Sequence, residues 1–233
     1  MAERPPLAIA HRAGNHLHLL RHAEAIGADF VEADVRLHRG RLEVRHLKTM
    51  PYLPLLYDRR LLFGRWRSFR IAPGWTNRLV LAALLGQIAP RTGLMLDLKG
   101  DDERLTPAVL DALGQTGHER RVILCSQNWR HIDLLHGEPA VTAVHSIGRA
   151  DQLEALLQRR AFTTQGISID SALLDADVIG RLRERTPMVV TWPINAHSTL
   201  ERVTGFGIDG VITDNFDILR AVVGARREDR DAS

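Results

Sequence analysis

Two hydrophobic periods alternate along this chain. Short apolar runs read as buried parallel strands, and stretches with apolar residues every three to four positions read as amphipathic helices. The first run covers residues 7–10, and a helical stretch over 16–26 follows it. The second run covers 29–37, with 41–46 returning beside it as a hairpin through Arg39-Gly40. A helix over 78–88 comes next, with Leu81, Leu84, Leu85 and Ile88 on one face. Further runs lie at 93–99, 121–126, 140–145, 166–170, 187–192 and 208–213. Helical patterns over 104–113, 129–135, 150–158, 174–185, from about His197, and over 216–223 follow them in turn.

Eight strand–helix pairs predict an α/β fold, a (β/α)8 TIM barrel, spanning residues 1–225 as one domain. An open doubly wound sheet shares the alternation, but no G-x-G-x-x-G turn follows the first run. Residues 50–76 read as an irregular cover after strand two, and 226–233 as a charged, frayed tail. The 233 residues suffice for one barrel and would be cramped as two domains.

Composition narrows the class only a little. With 45% hydrophobic and 25% charged residues, the chain is neither a disordered nor a fibrous sequence. No apolar run approaches the length of a spanning helix, and the first residues lack the layout of a signal peptide. The single Cys125 excludes an internal disulfide and suits a reducing compartment, so a cytoplasmic location is expected. No motif points to a nucleic-acid partner.

Barrel active sites form at the C-terminal ends of the strands. Those ends carry His11-Arg12, then Glu32 and Asp34, then Asp97 and Lys99, with His46 on the hairpin return. The remaining five strands end in Ser126, His145, Asp170, Trp192 and Thr213-Asp214. Glu32 and Asp34 stand two apart in a strand and so share a face. Two carboxylates that close are costly unless a cation lies between them. Asp97 from the next strand would complete three hard oxygen ligands, a set suited to Mg²⁺ or Ca²⁺. The plainer alternative pairs Glu32 or Asp34 with Arg36 or Arg12, or leaves them facing solvent. His11 and His46 would flank the site as an acid/base pair for a phosphate diester, with Arg12 and Lys99 gripping phosphoryl oxygens. His145 stands at a strand end without an evident partner.

Taken together these residues resemble the glycerophosphodiester phosphodiesterase family. The resemblance rests on Ile9-Ala10-His11-Arg12, on the segment 27–35 with Glu32 and Asp34, on Val44-Arg45-His46, on Asp97-Leu98-Lys99, and on 208–214 preceded by Trp192. It spans nearly the whole chain in order. It implies a metal-dependent barrel that cleaves glycerophosphodiesters to glycerol 3-phosphate and an alcohol. In that family's pattern Glu32, Asp34 and Asp97 would hold the metal and His11 and His46 would move protons. Arg12 and Lys99 would contact phosphate, and Trp192 would wall the site. The chain departs from the pattern in four places. Ala13 follows Arg12 where the family has glycine, and no Glu-Asn-Thr occurs in the shortened first loop. Leu47-Lys48 follows the second histidine, and Asp97 stands where many members have glutamate. The short loop and the Asp-x-Lys strand also resemble the sphingomyelinase D/phospholipase D branch, which implies headgroup release from a lysophospholipid as the alternative. A binding-only barrel would be a third reading, but it would not need both histidines and all three acids.

The cover segment holds Tyr52, Tyr57, Phe63, Trp66, Phe69 and Trp75, half of the chain's aromatics, interleaved with five arginines and one aspartate. Transient contact with an anionic membrane surface, a cover for an acyl chain and an ordinary packed lid are the readings this composition allows.

Overall fold

Eight of the apolar runs form parallel strands in the computed structural model, which describes residues 5–49, 55–62, 65–73, 79–115, 120–159 and 162–231. Strands β1 (Leu7–Ala10) and β2 (Phe30–His38) come first, and β3 (Arg41–Val44) returns antiparallel to the end of β2. An outer sheet of β4 (Lys48–Thr49), β5 (Leu55–Leu62) and β6 (Arg65–Pro73) intervenes. The other six barrel strands are β7 (Gly93–Leu98), β8 (Val122–Ser126), β9 (Thr142–Ile147), β10 (Gly166–Asp170), β11 (Val189–Trp192) and β12 (Gly210–Thr213). Their order is β1-β12-β11-β10-β9-β8-β7-β2, and pairing of β2 with β1 closes the ring. The fold is therefore a (β/α)8 barrel.

Alternation along each strand separates two cores. Ile9, Phe30, Met95, Ile123, Cys125, Val144, Val190 and Ile212 point inward and plug the lower barrel. The intervening residues, among them Val31, Ala33, Leu94, Leu96, Leu124 and Val211, face the helices. Those helices are α1 (Leu17–Ile26), α2 (Leu81–Leu85), α3 (Leu105–Gly114), α4 (Arg130–Asp133), α5 (Ala150–Gln158), α6 (Ala176–Arg183), α7 (His197–Thr204) and α8 (Phe216–Asp231). Gly27 ends α1 at φ 95°, a left-handed conformation that glycine adopts without a Cβ clash.

Several boundaries differ from the hydrophobic pattern. Helix α2 is confined to Leu81–Leu85 rather than 78–88, although Leu81, Leu84, Leu85 and Ile88 are all buried as a face. The stretch expected as an irregular cover forms strands: β5 and β6 pair antiparallel with Tyr57 opposite Ile71 and a bulge at Arg60/Leu61. The bulge breaks the two-residue period, which hides the hairpin from a periodicity reading. Tyr52, Phe63 and Trp75 of the aromatic cluster lie outside the described residues. The tail from 226 continues α8 to Asp231 instead of fraying at Arg226. Arg226 ties it to Asp29 at 2.9 Å, and Arg227 donates to the Ile26 carbonyl at 3.1 Å.

Candidate active site

The parallel register of β2 and β7 sets Asp34 directly beside Asp97, with Glu32 one inward position deeper beside Met95. Neighbouring strands lie about 4.8 Å apart. One carboxylate oxygen from each of Glu32, Asp34 and Asp97 lies within 4.8 Å of the others. Glu32 and Asp34 are almost wholly buried. The Lys99 ammonium reaches across this cluster, bonded to Asp97 Oδ2 and 3.2 Å from Asp34 Oδ1.

Burial, reinforced by the Asp34 and Asp97 charges, pushes the Glu32 carboxyl well above its ordinary pKa. Burial raises Asp97 as well, against the pull of Lys99. Asp34 goes the other way: burial opposes its charge, but Lys99, His46 and Arg12 hold it well below the usual carboxylate range. Burial also opposes the Lys99 charge, and the Asp97 and Asp34 carboxylates outweigh it and hold the ammonium above its ordinary value. Three acids against one ammonium leave negative charge in a buried place. The Asp97 Oδ1 atom there is buried without a hydrogen-bond partner. Such a donor set, all oxygen and under-neutralised, fits a hard divalent cation.

The segment after β1 supplies the next group of contacts. Arg12 sits at φ 53°, a left-handed conformation that a side chain adopts at a cost of roughly 1 kcal/mol or more. That turn aims its backbone N–H at Glu32 Oε2, 2.6 Å away. Its guanidinium lies 3.8 Å from Asp34 and 3.3 Å from His46 Nε2. His46 in turn places Nδ1 3.2 Å from Asp34 Oδ1. These two contacts favour the tautomer with the proton on Nδ1 and the lone pair on Nε2. His11 Nε2 is 4.0 Å from Glu32, and Nδ1 is 2.9 Å from Asp214 Oδ1.

The structure thus brings His11, Arg12, Glu32, Asp34, His46, Asp97 and Lys99 to one mouth. Trp192, at the end of β11, packs against the barrel plug beside them. Arg36 pairs with neither Glu32 nor Asp34, while Arg12 does approach Asp34. Three other residues read as strand ends go elsewhere. Ser126 donates to the Leu98 carbonyl at 2.6 Å, and Asp170 accepts from the Ala172 amide. His145 points outside the barrel, 2.9 Å from the Thr164 hydroxyl and 3.2 Å from Asp133, edge-on to Trp129 and Phe162.

Two residues have a place at the site to which the sequence reading gave no role. Asn15, in a single 3-10 turn over Ala13–Asn15, donates from Nδ2 to Asp34 Oδ2 at 2.7 Å and accepts from the Asp34 amide at 2.9 Å. Gly14 permits that turn to lie against β2, because a Cβ there would meet Ala33 Cβ at 2.7 Å. Asp214 is the other, and its strand-end position was the available signal. Burial opposes its charge, yet His11, with Asn195 and Arg12, keeps its carboxyl below the ordinary value.

Fold and site together define a closed α/β barrel with a buried acidic triad, two histidines and basic side chains at its C-terminal mouth. Solved structures share the barrel. The chain is similar to an Oleispira antarctica phosphodiesterase in complex with the product sn-glycerol-3-phosphate, at 19% identity and TM-score 0.71, covering 94% of this chain and 97% of that one. It is similar also to the glycerophosphodiester phosphodiesterase of Thermotoga maritima, at 19% identity and TM-score 0.66 over 94% and 98% of the two chains. A glycerophosphodiester phosphodiesterase from Parabacteroides distasonis matches at 16% identity and TM-score 0.68 over 97% and 100%. No protein-family model matches the sequence, and no curated protein does. Among the described residues no helix is long and apolar enough to cross a membrane.

Proposed function

We propose that this protein is a divalent-metal-dependent phosphodiesterase that hydrolyses glycerophosphodiesters to glycerol 3-phosphate and an alcohol. The observation that carries the reading is the triad of Glu32, Asp34 and Asp97, the first two buried and Asp97 partly so, with histidines on two sides of it. The likeness of the whole barrel to phosphodiesterases, one of them holding sn-glycerol-3-phosphate, supports it.

The three carboxylates would hold Mg²⁺ or Ca²⁺, which when bound supplies charge neutralisation at the phosphoryl group. Arg12 and Lys99, both held beside Asp34, bring positive charge to the phosphate oxygens. One histidine withdraws a proton from the attacking water and the other protonates the leaving alkoxide, giving glycerol 3-phosphate and the alcohol. Asp214 holds the His11 ring and Asp34 holds the His46 ring, each through Nδ1. Trp192 forms a wall of the mouth. A cytoplasmic setting accords with the free, buried Cys125.

Release of a lysophospholipid headgroup by the same groups is the second reading. The sequence of the segment after His46, where arginines and aromatics interleave, supports it. A coupled assay for glycerol 3-phosphate from glycerophosphoglycerol tests the first reading. Release that requires divalent metal and disappears in Glu32→Ala supports it, and release indifferent to both contradicts it.

A further inference from the structure

The cations at the mouth are not equally engaged. Lys99 is bound by Asp97 and Asp34, Arg12 lies against Asp34 and His46, and Arg45 is 2.7 Å from Glu43. Arg36 differs. It follows Glu32 and Asp34 on the same inward-facing register of β2, one repeat further out of the barrel. Two residues of strand advance about 6.6 Å, so its position stands about that far above Asp34. Its Nη2 is 3.4 Å from the His46 carbonyl, and Nη1 lies near Gly100 just past the end of β7. The side chain therefore spans the mouth between His46 and β7. Its Nε is buried without a hydrogen-bond partner, and among the described residues no ion pair joins it to a carboxylate, although the Asp34 and Asp97 charges act on it from further away. A partly buried guanidinium whose Nε lacks an acceptor is suited to an anion.

We propose that Arg36 binds a second anionic group, a phosphomonoester or carboxylate carried by the substrate beyond its scissile phosphate. The enzyme would thereby prefer diesters with anionic headgroups over neutral ones. This rests on the phosphodiesterase reading above and names its substrate class. The spacing suits two phosphates joined through a three-carbon polyol.

The matched probes are glycerophosphoglycerol and the same diester bearing a terminal phosphomonoester, each with Mg²⁺ and with Ca²⁺. Wild type should turn over the phosphorylated diester with about tenfold higher kcat/KM, as one charge-assisted contact supplies. In Arg36→Gln that ratio should fall close to one, mainly through KM, and Arg36→Lys should give an intermediate ratio. A wild-type ratio near one overturns the inference alone. Equal losses on both substrates in Arg36→Gln, with the ratio kept, also overturn it, since Arg36 would then serve the scissile phosphate. If Arg36→Gln does not fold, an unchanged ratio in Arg36→Lys overturns it instead. Turnover of neither diester by wild type removes the phosphodiesterase reading, and this inference with it.

Discussion

Asn15→Ala is the substitution that tests most sharply how the triad is held. The Asn15 side chain makes two buried hydrogen bonds to one residue, donating to the Asp34 carboxylate at 2.7 Å and accepting from the Asp34 amide at 2.9 Å. A bond to a charged group contributes about 1.5–3 kcal/mol and a neutral one about 0.5–1.5 kcal/mol. Truncation also strands the buried Asp34 amide, so a loss of roughly 2–4 kcal/mol is expected. For a protein of this size that lowers Tm by about 5–15 °C. The assay is denaturant and thermal unfolding of the metal-free protein, with divalent-cation affinity measured by calorimetry on the same samples. Affinity should fall too, because a carboxylate free to turn no longer presents one fixed oxygen to the site. A stability loss below about 0.5 kcal/mol with unchanged affinity would refute the reasoning.

Other outcomes follow from the same geometry. His11→Ala should lower kcat by roughly a hundredfold or more, and Asp214→Asn by a smaller factor with little change in KM; steady-state kinetics giving wild-type kcat in both would remove His11 from the chemistry. Glu32 has a raised pKa in the folded protein, so the folded state keeps a proton that the unfolded chain has released. Metal-free stability therefore falls as pH rises from the ordinary carboxylate value through the raised one. Glu32→Gln should be the more stable protein in chelator, by a margin that widens with pH, and melting curves at pH 5 and pH 8 that show no widening would contradict this. Full-length protein should float with anionic vesicles more than with neutral ones, and equal recovery would dismiss the electrostatic contribution of the hairpin's arginines.

The barrel was legible because its strands are buried on both faces and therefore read as continuous apolar runs, from Leu7–Ala10 to the last, Gly210–Thr213. The triad was legible for a related reason. Acids on inward positions of β2 and β7 interrupt otherwise apolar runs, which marks the barrel mouth. Asn15 was hidden because its partner is set by a turn conformation, not by spacing, and Arg36 was read only as a candidate partner of Glu32 or Asp34. The hairpin β5–β6 was missed where its bulge at Arg60/Leu61 breaks the period, and the length of α8 where Arg226 and Arg227 find acceptors 197 and more positions away. Contacts of that separation leave no local trace in sequence.

The most direct test of the central claim is phosphorus NMR of the products from glycerophosphocholine and lysophosphatidylcholine, each incubated with the purified protein and Mg²⁺, Ca²⁺ or chelator. The structure predicts glycerol 3-phosphate from the first substrate, formed with divalent metal and abolished by chelator. Lysophosphatidic or cyclic phosphatidic acid from the second alone would transfer the same triad and histidines to headgroup release. No phosphate product from either substrate under any metal condition would contradict the account.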